Sequence, residues 1–247
     1  MIEILFESGL MLAVNKPAGL LTQAARGIDS LELRVKSYLA GVGDSVDVGV
    51  NVDCNDESIF RYYLGVPHRL DRPVSGVILF GKTSRATRQL SEQFENRQID
   101  KTYWCVVSGK MEVGGSGTWI DYMRKIPNHP VAEIVQPINP DAREAILHYK
   151  VLQQFEFNNM PLTHLEIKLE TGRMHQIRLQ TATRGFPIIG DATYNSTIPF
   201  GENFDNERCR EIALHARSIT FIDPSNKKQI NIIAPIPKLW NTIGNYF

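Results

Sequence analysis

The chain lacks most of the signatures by which a sequence declares a cofactor. It has no GxxxxGK[ST] and no GxGxxG, so no nucleotide cofactor is indicated. His68, His148, His164 and His215 show no ligand spacing around a third donor, and no metal is expected. Only three cysteines occur, Cys54, Cys105 and Cys209, an odd number without CxxC spacing. That excludes a disulfide framework and a zinc ribbon and fits a reducing compartment. The N-terminal stretch carries acids early and no basic region before an apolar run, so it does not read as a secretory leader. No window approaches a membrane span. A cytoplasmic protein is expected, and nothing in the sequence demands more than a monomer. Net charge is lacking too: 27 Lys+Arg balance 27 Asp+Glu.

The charge is nevertheless unevenly placed. Residues 1–60 hold four basic and nine acidic residues, residues 61–110 nine and four, and residues 171–247 nine and six. A local basic surface can attract phosphates on a neutral protein, although a solvated face explains the same numbers. Residues 42–58 are acidic and contain no Lys or Arg, which reads as an exposed insertion.

The 43% hydrophobic content of 247 residues supports a sizeable core. Two short strands flank a Ser-Gly turn in "EILFESGLMLAVNK", stopped by Pro17 and Gly19. Ser30 is placed to cap a helix, and Val77–Phe80 reads as a buried strand. Thr83 or Ser84 caps the following helix, and "KTYWCVVSG" is another strand. Residues 112–143 read as loops with a short strand or two. "ILHYKVLQQF" and "LTHLEIKLE" form a hairpin, with Leu165, Ile167 and Leu169 facing one way and His164, Glu166, Lys168 and Glu170 the other. "GRMHQIRLQTATRG" reads as a helix stopped by Gly185, and the tail as a hairpin around 223–227. Strands outnumber helices and several are hairpin-connected, which argues an α+β fold with a largely antiparallel or mixed sheet and flanking helices.

Three places can carry chemistry. In "PHRLDRPVSGVILFG", Asp71 lies between Arg69 and Arg72, with His68 before them. A carboxylate beside two guanidinium groups stays ionised at neutral pH, which suits a nucleophile or a base better than an acid. The Ser-Gly turn and buried strand that follow would hold such a group still. In "ETGRMHQIRLQ", Arg173, His175, Gln176 and Arg178 open the expected helix, where backbone N–H groups and cations favour phosphate. If Arg178 is buried it needs a carboxylate, and Asp71 is an attractive candidate. Third, Tyr103 begins a strand, where it is either core or available to stack on a base.

In this order, "PHRLDRPVSGVILFGKT", "DKTYWCVVSG", "LETGRMHQIRLQ" with "GFPIIGDATY", and "LHARSITF…IAPIP" resemble the RluA-type RNA pseudouridine synthases. "LAVNKPAGLL" resembles that family's opening strand. The likeness runs from about Ile4 to about Pro237. It implies a pseudouridine synthase fold around a central active-site cleft and cofactor-free isomerisation of uridine to pseudouridine in tRNA or rRNA. It also implies residues 1–247 as a single catalytic domain, without the S4-like RNA-binding domain that precedes it in many members. By the same resemblance Asp71 is the essential carboxylate, Tyr103 packs on the base, and Arg178 ion-pairs with Asp71. Ile177 lines the base pocket, and Arg69 helps displace the target nucleotide. His68, Arg72, Arg173, His175 and Gln176 become RNA-contact candidates. The carboxylate could attack C1′ of the ribose or take the C2′ proton, and the sequence leaves both open. The chain departs from the family pattern at Gln180 and Phe186, where a His is usual nearby. These positions concern packing and RNA contact rather than the reaction.

Overall fold

A computed structural model of the chain describes residues 2–41, 59, 61–202 and 210–244. The acidic segment 42–58 and the cysteines at 54 and 209 lie outside these. The strands are β1 (Glu3–Glu7), β2 (Met11–Lys16), β3 (Ser75–Gly81), β4 (Asp100–Ser108), β5 (Ser116–Lys125), β6 (Ala132–Ile134), β7 (Arg143–Phe157), β8 (Met160–Leu169), β9 (Leu214–Ile222) and β10 (Gln229–Ile233). The helices are α1 (Leu31–Leu39), α2 (Ser84–Glu95) and α3 (Gln176–Thr183), with 3-10 turns at Ala192–Tyr194 and Lys238–Ile243. None of the described helices is long and apolar enough to cross a membrane.

The chain divides into two compact units, Met1–Ile99 with Ala216–Pro235, and Asp100–His215 with Ile236–Phe247. In the first, β1, β2 and β3 run antiparallel in that order, β9 lies beside β3, and β10 pairs with β9. β2 and β3 are largely apolar on both faces because both faces are covered: Met11, Leu12, Ala13 and Val14 are fully buried, and every residue of β3 is buried. Leu31 and Val35 of α1 pack on Leu12, Val14, Ile78 and Phe80. Ser30 caps α1 through Leu33 N–H, and Thr83 caps α2 through Ala86 N–H, as the sequence suggested.

The Ser-Gly pair expected as a turn instead opens β3, and its glycine, Gly76, is required twice over. Its φ is +119°, and a Cβ there would lie 2.3 Å from the carbonyl oxygen of Ala216. Gly76→Ala is therefore expected to lower stability by about 2–4 kcal/mol, through backbone strain and displacement of β9. Gly9→Ala, where nothing lies within 4 Å, is expected to be near neutral. Urea denaturation of both variants checks the contrast.

In the second unit the strand order is β4-β8-β7-β5-β6, all antiparallel. β7 and β8 are joined by Asn158 and Asn159, both at positive φ, a two-residue turn whose twist suits a hairpin. The loop-rich reading of 112–143 is corrected here, because it contains the ten-residue β5. Glycines before it and prolines after it hide a strand in which Trp119 and Met123 point inward. Leu179 of α3 packs with Met123, Ala132, Ala145 and Tyr194.

The expected alternation in β8 fails at His164. It is 3% exposed, with its ring edge-on to Trp104 at 4.9 Å. Both faces of β8 are covered there, so period two does not report solvent. Burial pushes the His164 pKa down to about 4. An unfolded-state imidazole takes a proton near pH 6.5, whereas the folded one resists until about 4. This contribution is intact above pH 6.5 and lost as pH falls toward 4, on the order of 3 kcal/mol in full. The urea midpoint of wild type should fall between pH 7 and 5 more steeply than that of His164→Asn. Equal slopes would count against this origin.

Candidate active site

The Asp71 turn is built from main-chain contacts. Leu70 and Val74 are buried on either side of it, and Val74 N–H donates to Asp71 O at 3.1 Å. Asp71 itself is half-buried at the start of the turn. Beneath the turn, Lys16 ends the apolar strand β2 and is 0% exposed. Its ammonium donates to Val74 O at 2.7 Å, Pro17 O at 2.9 Å and Arg72 O at 3.1 Å. Three carbonyls supply the hydrogen bonds that a buried ammonium requires. Two of these bonds, to Arg72 O and Val74 O, fix the main chain on the C-terminal side of Asp71. On the N-terminal side, Thr22 Oγ1 donates to Leu70 O and accepts from Leu70 N–H. Gly19 N–H donates to Arg72 O, and Arg72 Nε donates to Gly19 O, both at 2.8 Å. The segment 16–22, read from sequence as a strand and its stop, is thus a cradle for the Asp71 turn. A cleft of about 310 Å³ lies along it, lined in part by Asp29, Arg34 and Arg72.

The neighbours of Asp71 divide. Arg69 is exposed. His68, expected at the RNA, uses Nε2 to accept from Leu79 N–H at 2.8 Å and stacks on Phe94 at 4.4 Å between ring centres. A backbone amide can only donate, so the ring is neutral with its proton on Nδ1.

In the second unit, the helix opens later than expected. α3 begins at Gln176, and Arg173 and His175 precede it, with His175 at φ +54°. Gln176 is buried: its Oε1 accepts from Thr171 Oγ1 and Arg173 N–H, and its Nε2 donates to Ile146 O. Arg173 Nε donates to Glu144 O at 2.8 Å. These contacts pin the start of α3 to β7. Ile177 is 4% exposed and Arg178 equally buried.

Arg178 donates from Nε to Asp191 Oδ2 at 2.6 Å and from Nη2 to Oδ1 at 2.8 Å, a bidentate pair with both side chains almost wholly buried. Its guanidinium lies over the ring of Tyr194, 5.1 Å from the centroid. The Tyr194 hydroxyl meets His175 Nδ1 at 2.9 Å and accepts from Ala132 N–H. Asp191 and Tyr194 belong to "GDATY", whose Gly190 has φ +85° and leaves no room for a Cβ beside Glu211 O. Asp191, thirteen residues on, supplies Arg178 with a buried carboxylate. The Arg itself was the available signal, since a buried guanidinium requires a partner.

Tyr103 is half-buried on β4 and paired in register with Ile167 of β8. Cys105, two residues on, is buried, and burial pushes its thiol pKa up. Gln180, a departure from the family pattern, is wholly buried; its Nε2 donates to Asp121 Oδ2 at 2.7 Å and reaches Ala145 O. It joins α3 to β5 and β7. Among the described residues no three His, Cys, Asp or Glu side chains converge as a metal site would need.

Residues 11–183 match the model of the RNA pseudouridylate synthase family. The ribosomal large subunit pseudouridine synthase D of Xanthomonas campestris pv. campestris is 30% identical over 243 residues, 96% of this chain and 66% of that protein. The chain therefore spans just under two thirds of that relative's length. The tRNA pseudouridine synthase C of Vibrio vulnificus is 30% identical over 257 residues, covering all of this chain and 96% of that protein. A solved structure of human RNA pseudouridylate synthase domain containing 4 superposes with a TM-score of 0.67. It is 19% identical and covers 96% of this chain and 90% of that one, a likeness of fold. The α+β pseudouridine synthase fold expected from the sequence is present, and the chain belongs to the RNA pseudouridylate synthase family.

Proposed function

We propose that this chain isomerises particular uridines of structured RNA, in tRNA or rRNA, to pseudouridine, with Asp71 as the group that acts on the ribose. The observation that carries the reading is the family match over 11–183, which contains the Asp71 turn and its Lys16 cradle. In the reaction the N1–C1′ bond breaks, the detached uracil turns, and C5 bonds to C1′. The C5 proton leaves and N1 regains a proton, so nothing is consumed and no cofactor is needed. Uracil is a poor leaving group, so an ionised carboxylate held still beside C1′ or C2′ answers the chemical need.

Tyr103 packs against the uracil and helps remove the C5 proton, Ile177 lines the base pocket, and Arg178 completes the set of site residues. Arg69, exposed beside Asp71, assists extrusion of the nucleotide, which costs a few kcal/mol and is offset by stacking and phosphate contacts. His68, Arg72, Arg173 and Gln176 each commit a side-chain nitrogen or oxygen to the fold. Their contribution to RNA binding is therefore mainly to hold the loops that meet it. We place this activity in the cytoplasm, in a monomer whose residues 1–247 act as one catalytic domain.

The test is release of tritium from unmodified tRNA and rRNA transcripts carrying [5-³H]uridine, incubated with purified protein. Release without any added cofactor is expected. No release from any transcript would count against the reading.

A further inference from the structure

Tyr63 is 48% exposed, yet its hydroxyl is turned onto the protein. The hydroxyl donates to Thr87 Oγ1 at 3.2 Å, while Thr87 Oγ1 donates to Thr83 O at 2.9 Å. Exposed tyrosines usually bury the ring and wet the polar tip. Here the tip is held on α2 and much of the ring is left to solvent.

The anchor is firm. Gly65 and Gly81 exchange two backbone hydrogen bonds of 2.8 and 2.9 Å. A Cβ on Gly65 would lie 2.0 Å from Thr87 Oγ1, and one on Gly81 2.3 Å from it. Thr87 is thus lodged against two residues without side chains, and its hydroxyl has little freedom.

The surroundings are basic. Arg61 and Arg69 are exposed on the loop that carries Tyr63, and Arg85 and Arg88 are exposed beside Thr87 on α2. Glu92, 3.6 Å from Arg88, is the nearest opposing charge along that helix. The loop follows α2: Tyr63 touches Thr87, and His68 stacks on Phe94 seven residues later, about 10 Å along the helix. Three residues beyond His68 is Asp71.

We propose that Tyr63 is a stacking platform for an unpaired base of the RNA substrate, a few nucleotides from the uridine presented to Asp71. This rests on the reading of the chain as an enzyme acting on RNA. A fixed ring on a loop that carries exposed Arg61 and Arg69, held to a helix that carries exposed Arg85 and Arg88, suits single-stranded RNA, where aromatics stack on bases and Arg follows the backbone. Tyr63 lies eight residues before Asp71, so a base held on it helps select the RNA presented to that carboxylate.

The test measures binding of a fluorescein-labelled oligouridylate, and of an abasic strand of equal length, to wild type, Tyr63→Leu and Tyr63→Trp. Wild type should prefer the oligouridylate. Tyr63→Leu should bind it roughly five- to a hundredfold more weakly, with the abasic strand unaffected, and Tyr63→Trp should retain the preference. Unchanged oligouridylate binding by Tyr63→Leu, or equal loss on both strands, would overturn the proposal. Tritium release measured on the same proteins separates the two readings. An inactive wild type that keeps a Tyr63-dependent preference for bases sustains the platform and sinks the isomerase. An active wild type indifferent to Tyr63→Leu sinks the platform alone.

Discussion

Asp71→Asn is expected to reduce pseudouridine formation about a thousandfold or more while leaving RNA affinity within about tenfold and the melting temperature nearly unchanged. In the proposed reaction the carboxylate meets the ribose in either route, by attack at C1′ or by taking the C2′ proton, and an amide does neither. RNA affinity should survive because phosphate contacts by cations dominate it. The fold should survive because the turn is held by Lys16, Thr22 and Gly19 through backbone atoms, with Leu70 and Val74 buried on either side. The variant therefore separates chemistry from binding and folding. Single-turnover kinetics, filter binding and thermal melting measure the three separately. An active Asp71→Asn protein would remove Asp71 from the reaction.

The second large effect belongs to Arg178 and Asp191. Either Arg178→Met or Asp191→Leu takes one partner from a nearly fully buried bidentate pair. Each single substitution is expected to destabilise the protein by about 3–5 kcal/mol, because a buried charge loses its main compensation. The double variant replaces both charges with apolar side chains and should regain most of that stability. It should not regain activity. The burial of Arg178 against Asp191 makes its loss fall on folding as well as on activity. Urea denaturation of the four proteins, with tritium release, measures the two losses independently. A double variant as active as wild type would make the pair a purely structural one.

Much of this was legible in the residues. Unbroken apolar runs marked β2 and β3, hydroxyl caps marked α1 and α2, and the ordered blocks around Asp71, Tyr103 and Arg178 pointed to the family. What stayed hidden was set by tertiary contact. Lys16 reads as an ordinary polar end to a strand until the carbonyls of Arg72 and Val74, more than fifty residues away, are seen to converge on it. Asp191 competes with every other carboxylate as a partner for Arg178. His68 and Gln176 look like substrate ligands because their polar groups cannot be assigned to Leu79 or Ile146 from spacing alone. β5 was obscured by the Gly and Pro on either side of it, and His164 by the assumption that an alternating strand has a wet face.

The most direct measurement is pseudouridine mapping, by carbodiimide labelling and primer extension, on tRNA and rRNA from cells with and without the gene. At least one site should disappear with the gene, return with the wild-type copy and stay absent with Asp71→Asn. An unchanged map, together with no tritium release from transcripts in vitro, would contradict the assignment of this chain as an RNA isomerase.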